Sequence, residues 1–409
     1  MRTFLPLLGL LLAACVGTVD GSRSGPDSPD DPGETGQEPD QPDQPLAAIA
    51  GPDRQVIGGL VVKLDGSEST GAATHLWEQV SGPPVEISEG EAATAWASIP
   101  SAAAVDETFV FRLTVSGADG NTVSALKSVT VKPAVFERFT DINDPNVLDV
   151  SEGIAFNDAG MWVVSQEDLL TLIDPAGEPI STRTITGLPV GANFDINGDL
   201  VIARNTTGTI DAFDPALGSL AEITDGLATA NYPLPDRFGN VYVTNRQNET
   251  VFRYDALTGQ AVPFVTNVGD NPNAAAFGPE PDMLYVGTIG KVYRIPILPD
   301  GSAGTPEVYL DLGVTSEIDG ITFDEGRNIY VGAVATKGLY IAPYVADGPT
   351  SVARSFLDVS SGLSYFTNPT HGSSAFGETT LFYTNLGLDE VGKVDVGLPR
   401  LDAPLAVPR

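Results

Sequence analysis

The stretch "SEIDGITFDEGRNIYVG", residues 316–332, carries the pattern that decides the fold. Two short apolar runs, 321–323 and 329–331, flank a polar turn, which indicates two strands joined by that turn. Asp319 stands directly before the first run, although a carboxylate is a poor strand former. The same pattern recurs along the chain, so its copies can be compared position by position.

The repeats predict a β-propeller. Six copies cover residues 152–177, 190–218, 231–259, 273–301, 319–344 and 372–397. Each holds three strand-like segments, and a fourth segment follows five of them. Four strands at a period of roughly forty residues make one propeller blade, so six copies predict six blades. The sixth copy lacks an outer strand, and "VFERFTDIND" (135–144) resembles it, so we expect this segment to close the ring.

The N-terminus indicates a targeting segment. "MRTFLPLLGLLLAAC" has a basic start and an apolar run that is too short to span a bilayer, which is typical of a signal peptide. Residues 12–15 resemble a bacterial lipobox, in which Cys15 becomes the acylated first residue. The alternative is a plain secretory signal with an incidental cysteine. Because Val16 follows Cys15, lipoprotein sorting rules favour the outer membrane. We therefore expect a protein of the bacterial cell envelope that meets the membrane only through its lipid anchor.

Two further segments precede the repeats. Residues 16–46 are rich in Pro, Gly and acidic residues and predict a disordered tether. Residues 47–133 contain short alternating strands, typical of a small β-sandwich. There "LDGSEST", "LWEQVSGPPV" and "FRLTVSGADGNTVS" resemble polycystic-kidney-disease (PKD) domains. The predicted fold class is thus all-β, in this order: signal peptide 1–15, tether 16–46, PKD-like, immunoglobulin-like sandwich 47–133, six-bladed propeller 134–400 and tail 401–409.

Composition excludes several classes of function. The formal net charge is −33, whereas nucleic-acid binders need a basic footprint. One cysteine excludes an internal disulfide framework. The sequence contains neither a P-loop nor a dinucleotide-binding fingerprint, and no Ser or Cys nucleophile motif.

Aligned on the first strand, the copies define one position, here called the slot, that Asp319 occupies in the fifth copy. The slot residues of the first five copies are Glu152, Val190, Asn231, Asn273 and Asp319, and the sixth copy offers His371 or Gly372. The innermost strands of a propeller surround one channel, so four oxygen-bearing side chains are expected to converge at its mouth. Two carboxylates and two amides suit a hard cation. The alternative is that these residues only cap turns.

The slot motifs resemble those of a known family. Glu152-Gly153, Asn231-Tyr232, Pro272-Asn273-Ala274 and Asp319-Gly320 fall in the blades where the senescence-marker-protein/gluconolactonase family carries its metal ligands. The resemblance spans about residues 135–397. It implies that Glu152, Asn231, Asn273 and Asp319 hold Ca²⁺ or another divalent cation. It also implies that Asp319 acts as general base or nucleophile in hydrolysis of a lactone or related ester.

Other positions depart from the family. Thr229 stands where the family commonly has an arginine that grips a sugar acid, and Arg246 is a candidate substitute. His371 is a candidate catalytic residue that orients substrate or a ligand, with a turn or packing role as the alternative. Two functions follow: a metal-dependent hydrolase of a small lactone or ester, or a non-catalytic propeller that binds a surface ligand or protein, with a structural metal or none.

Overall fold

The computed structural model describes residues 44–140, 148, 150–346, 350, 352, 354–357, 365–386 and 390–402. Cys15 and the predicted tether up to residue 43 lie outside these residues, as do residues 403–409 of the predicted tail. Among the described residues every regular element is a β-strand, and none forms a helix long and apolar enough to cross a membrane. The strands are numbered β1 to β31 in chain order.

The N-terminal strands form a sandwich of two sheets. The four-stranded sheet has the order β1-β7-β6-β3, with β1 Arg54–Ile57, β7 Thr122–Lys132, β6 Thr108–Ser116 and β3 Thr74–Ser81. The three-stranded sheet has the order β2-β5-β4, with β2 Val61–Asp65, β5 Thr94–Ser98 and β4 Ile87–Ser88. Residues alternate between buried and exposed along β6, as expected for a sheet with one face on the core. Trp77 is 3% exposed and belongs to that core.

Six four-stranded sheets follow, and the six-bladed propeller is confirmed. Blade one contains β9 Ser151–Asn157, β10 Gly160–Ser165, β11 Leu169–Ile173 and β12 Pro179–Thr184. Blade two contains β13 Pro189–Phe194, β14 Leu200–Arg204, β15 Thr209–Asp214 and β16 Ser219–Thr224. Blade three contains β17 Ala230–Pro235, β18 Val241–Asn245, β19 Thr250–Asp255 and β20 Gln260–Thr266.

The remaining blades repeat this order. Blade four contains β21 Ala275–Phe277, β22 Met283–Gly287, β23 Lys291–Pro296 and β24 Glu307–Asp311. Blade five contains β25 Ile318–Phe323, β26 Ile329–Ala333, β27 Gly338–Ala342 and β28 Arg354–Leu357. Blade six contains β29 Phe366–His371, β30 Thr380–Asn385, β31 Glu390–Asp395 and β8 Phe136–Thr140. Because β8 pairs antiparallel with β31, the segment before the first repeat closes the ring, as the sequence predicted.

Burial falls from the axis outward within a blade. All of β10 is buried, whereas all of β12 is exposed. Inner strands lie between neighbouring blades and therefore bury both faces, which explains their continuous apolar runs. In blades two, three and five an aspartate fixes the turn between the first and second strands by accepting backbone N–H bonds; Asp236, for example, accepts from Phe238 and Asn240 at 2.8 and 2.9 Å.

The sandwich packs against the corresponding turn of blade five. Asn328 accepts a hydrogen bond from the backbone N–H of Val61 and donates one to its carbonyl oxygen, both at 2.8 Å. Arg54 pairs with Glu325 at 2.7 Å. One hydrophobic cluster contains core residues of the sandwich together with residues of blades five and six. The contact is therefore specific and partly apolar.

Candidate metal centre

Irregular strand pairing marks the slot in the propeller. In blade two the register of β13 shifts between Pro189 and Ala192, so Val190 and Gly191 lie outside the regular ladder. The same shift occurs around Asn231 in β17 and around Asp319 in β25. A bulge re-aims the side chains that it carries. The poor strand former Asp319 therefore occupies a position where the ladder is already broken.

The backbones at the slots of neighbouring blades lie in close contact around the ring. A Cβ built on Gly191 would lie 2.5 Å from the carbonyl oxygen of Asn231 in the next blade. Likewise, a Cβ built on Gly320 would lie 2.5 Å from Cα of Asn368. The glycine after the slot is therefore required by the approach of the neighbouring blade.

The sixth slot holds Asn368, and the prediction of His371 or Gly372 was wrong. In β29 the register shifts between Thr367 and Thr370, which places Asn368 and Pro369 in the bulge. Asn368 is 3% exposed, has φ of +43°, and its Nδ2 has no hydrogen-bond partner. Five of the six slots are thus polar.

The four predicted ligands are all buried. Glu152 is 5% exposed, Asn231 2%, Asn273 1% and Asp319 7%. Gln166 donates a hydrogen bond to Glu152 Oε2. Asn273 Nδ2 donates to Glu317 Oε1 at 3.1 Å, which leaves Asn273 Oδ1 without a partner. Asn231 Nδ2 is also unpartnered.

The two slot carboxylates perturb each other. Burial raises the pKa of Glu152 to about 7, against the hydrogen bond from Gln166 and the charge of Arg246. Burial and then the charges of Glu152 and Glu317 hold the pKa of Asp319 well above its usual range, while Arg246 and Asn273 lower it. Each carboxylate therefore lies where its negative charge is costly.

Of the described residues, one cationic side chain lies at the channel mouth, and it is already paired. Arg246 forms an ion pair with Glu317 at 2.6 Å, and its side chain is 36% exposed. Since Glu317 neutralises this guanidinium, the charges of Glu152 and Asp319 have no cationic partner of their own among the described residues. Buried carboxylates usually have such a partner, or they coordinate a metal.

This bonding differs from turn capping. The turn aspartates Asp195 and Asp236 each accept backbone N–H bonds from their own turns. Within the part of the chain that the structure describes, neither Glu152 nor Asp319 accepts a bond from a backbone N–H. Their local bonding therefore does not match the alternative in which slot residues only cap turns.

The donor set fits a hard cation that takes carboxylate and amide oxygens together. Within the described residues, no group of three or more His, Cys, Asp or Glu side chains is arranged to hold a metal. The slots offer only two carboxylates, and the third acid at the mouth, Glu317, is occupied by Arg246. Any cation here would depend on amide oxygens, of which Asn273 Oδ1 is buried and free.

His371 lies away from these side chains. It follows Asn368 by three residues, about 10 Å along an extended strand. Its Nδ1 is 3.2 Å from the hydroxyl of Thr322, and its ring packs edge-on against Tyr330. Burial and the charge of Arg400 lower the pKa of His371 to about 3, so the imidazole is neutral at pH 7.

Sequence reasoning missed Gln166, Glu317 and Asn368. Gln166 and Arg246 each follow the second strand of their blade by one residue, so equivalent loop positions both reach the mouth. An alignment of the repeats would have shown that these two positions are equivalent. Glu317 stands two residues before Asp319 but carries no motif of its own.

Comparisons with known proteins support the two-domain architecture. A family model that describes a PKD domain matches residues 50–131. No curated protein sequence gave a significant match. The matched segment coincides with the sandwich, so the PKD-like nature of that domain is confirmed.

Several solved structures share the fold. A gluconolactonase from Xanthomonas campestris is 16% identical, with a TM-score of 0.53, covering 65% of this chain and 90% of that one. A calcium-binding regucalcin from Agrobacterium tumefaciens is 16% identical, with a TM-score of 0.54, covering 68% and 98%. An auxiliary nutrient binding protein from Bacteroides ovatus is 14% identical, with a TM-score of 0.53, covering 83% and 95%. At these identities the likeness shows the propeller fold and nothing finer.

Proposed function

We propose that the propeller binds a divalent cation, calcium in the first instance, through Glu152, Asn231, Asn273 and Asp319, and that it hydrolyses a lactone or related ester at this site. The observation that carries the proposal is the pair of buried carboxylates, Glu152 and Asp319, which share a channel mouth and lack a cation of their own among the described side chains. A purely structural ring gains nothing from this repulsion.

The side chains around that pair have distinct chemical roles. Asp319 and Glu152 supply the negative charge that binds the cation, and Gln166 orients the Glu152 carboxylate through a hydrogen bond. When bound, a divalent cation polarises a carbonyl oxygen as a Lewis acid. Asp319 is the residue that we propose accepts a proton from an attacking water, because its carboxylate lies in the same small site and a cation there would favour its ionised form. Arg246 lies near enough to both carboxylates to lower their pKa values and can orient a substrate.

Calcium-dependent stability of the purified protein tests the metal. A cation that binds only the folded state raises its stability by about 2.7 kcal/mol at one hundred times Kd. We expect calcium to raise the melting temperature of the wild type and chelator to reverse the effect, whereas Asp319→Asn should respond much less. The matched control is Asp158→Asn, an exposed aspartate in the turn after β9. If the wild type and Asp319→Asn respond alike, the site is refuted.

Hydrolysis is tested separately. A panel of lactones and aryl esters should be turned over by the wild type with calcium, but not by Asp319→Asn. Calcium binding without turnover of any panel member would refute the hydrolase and leave a binding propeller.

A second candidate is a non-catalytic propeller that binds a small ligand or a protein at the cell surface. It is favoured by the ion pair of Arg246 and Glu317, since a partly exposed guanidinium at a channel mouth can bind an anionic group. The nutrient-binding neighbour has the same fold. Retention of ligand binding in Asp319→Asn and its loss in Arg246→Gln would favour this candidate.

We further propose that Cys15 is acylated and anchors the protein to the bacterial envelope, in the outer membrane. The lipobox-like residues 12–15 support this. Metabolic labelling with a clickable fatty acid should label the wild type and not Cys15→Ser. Labelling of neither would leave a plain secretory signal.

A further inference from the structure

A second chemical environment lies at the other end of the channel. A cavity of about 820 Å³ is lined by the C-terminal ends of the innermost strands and by residues 400–402. Its lining includes none of the slot residues described above. Its volume is that of a site for a small organic molecule.

The segment after the last blade positions an arginine in this cavity. The N–H of Leu401 donates to the carbonyl oxygen of Phe323 at 2.9 Å, and the N–H of Glu325 donates to that of Pro399 at 2.8 Å. These bonds flank Arg400 and attach it to the end of β25. Arg400, the last residue of the predicted propeller, is therefore held beside the cavity.

Arg400 has no anionic partner in the described part of the chain. Of the described side chains, none forms an ion pair or hydrogen bond with its guanidinium, although the chain has 54 acidic and 21 basic residues. Its charge lowers the pKa of His371 in blade six and acts on Tyr232 in blade three, so the guanidinium lies within electrostatic range of both side chains. Arg400 is exposed at the open side of the cavity, so its guanidinium is free to bind an anionic group.

A buried polar atom in the same cavity also lacks a partner. His371 is 3% exposed, and its Nε2 has no hydrogen bond. When the Thr322 hydroxyl donates to Nδ1, the neutral ring carries its proton on Nε2 and can donate to a ligand. Of the described residues, three aspartates line the cavity: Asp195 and Asp236 accept bonds from their own turns, and Asp402 forms no ion pair with Arg400.

The remaining wall is mixed, with four phenylalanine rings beside polar side chains such as Asn193 and Thr370. The cavity is lined by the rings of Phe156, Phe194, Phe277 and Phe323. We propose that this cavity binds a small carboxylate with an apolar or aromatic body, with the carboxylate on Arg400 and Nε2 of His371 and the body against the phenylalanine rings. This site is separate from the channel mouth and does not depend on a metal.

Isothermal titration calorimetry with a matched pair of probes tests the site. The probes are 3-phenylpropionate and its uncharged amide, with EDTA present so that no metal at the channel mouth binds them. We expect saturable binding of the acid, with the amide at least about tenfold weaker. Inorganic phosphate serves as the probe for an anion site of another kind.

The variants keep the result interpretable. Arg400→Gln should weaken binding of the acid about tenfold or more, and it removes a side chain that bonds to no other described residue, so folding should be retained. Arg237→Gln is the control, because Arg237 also lines the cavity and is exposed like Arg400, but its guanidinium lies over the ring of Phe238. His371→Gln should weaken the acid more than the amide.

Four outcomes overturn the inference. They are no binding of the acid, equal binding of acid and amide, unchanged binding by Arg400→Gln, and binding of phosphate in place of the acid. Retention of acid binding in Asp319→Asn is expected whether or not the proposed hydrolase is correct.

Discussion

Replacing Asn328 by alanine removes the side chain that joins the sandwich to blade five. The amide bonds both backbone groups of Val61 at 2.8 Å and also donates to Asp324 at 2.9 Å. Without it, one N–H and one carbonyl at a part-buried contact lose their partners. An unsatisfied buried group costs about 1–3 kcal/mol, and Val61 is only half-buried, so we expect a total loss of about 2–4 kcal/mol.

Urea unfolding followed by tryptophan fluorescence measures this loss. Trp77 and Trp96 report on the sandwich and Trp162 on blade one. We expect the variant to unfold at lower urea, with the sandwich signal separating from the propeller signal. The matched control is Asn240→Ala, which loses the equivalent bond to Asp236 and one bond from the Ala256 N–H, but does not contact the sandwich. A loss below about 0.5 kcal/mol, or an equal loss in the control, would refute the reasoning.

Three further outcomes are expected. Burial raises the pKa of Asp324 to about 7, so its contribution to stability is full below pH 4 and is lost as pH rises toward 7. Relative to Asp324→Asn, the free energy of unfolding should therefore fall by up to about 1.4 kcal/mol per pH unit between these values. Urea titration at several pH values measures this fall. Gly191→Ala should cost about 1–3 kcal/mol and weaken calcium stabilisation, since its Cβ would meet the Asn231 carbonyl at 2.5 Å; an unchanged urea midpoint would contradict this. Asn368→Asp adds a third carboxylate to the ring, so the melting temperature in chelator should fall and the rise on adding calcium should grow; a melting temperature in chelator equal to that of the wild type would show that Asn368 does not face Asp319.

The propeller could be predicted because its information is local and repeated. Each blade has the same order of strands and turns, and four strands in each repeat of about forty residues are compatible with few architectures other than a propeller. The closing strand could be found because "VFERF" supplies the outer strand that the sixth copy lacks, and β8 pairs with β31 through these residues. The slots of the first five blades followed from a constant spacing to the first apolar strand.

The prediction of the residue in the sixth slot was wrong for a physical reason. The alignment used "GSSAFG", but residues 373–376 form a turn, and the innermost strand is "FTNPTH". Proline is rare inside a strand because it cannot donate to the ladder. Pro369 lies in the bulge, where no ladder bond is required, so a proline is compatible with this strand and marks the slot.

The chemistry of the ring depends on a property that single-residue patterns do not show, namely which polar atoms are left without partners. Asp236 and Asp319 are the same residue type beside similar apolar runs, yet Asp236 accepts bonds from its own turn, whereas Asp319 faces Glu152. Only the closure of the ring, in which blade six packs between blade one and blade five, creates that difference. The same holds for Arg400, because its local sequence does not indicate the backbone bonds of its neighbours to blade five that hold it beside the cavity. Function in this fold is therefore determined where long-range packing leaves charge and hydrogen-bonding capacity unsatisfied.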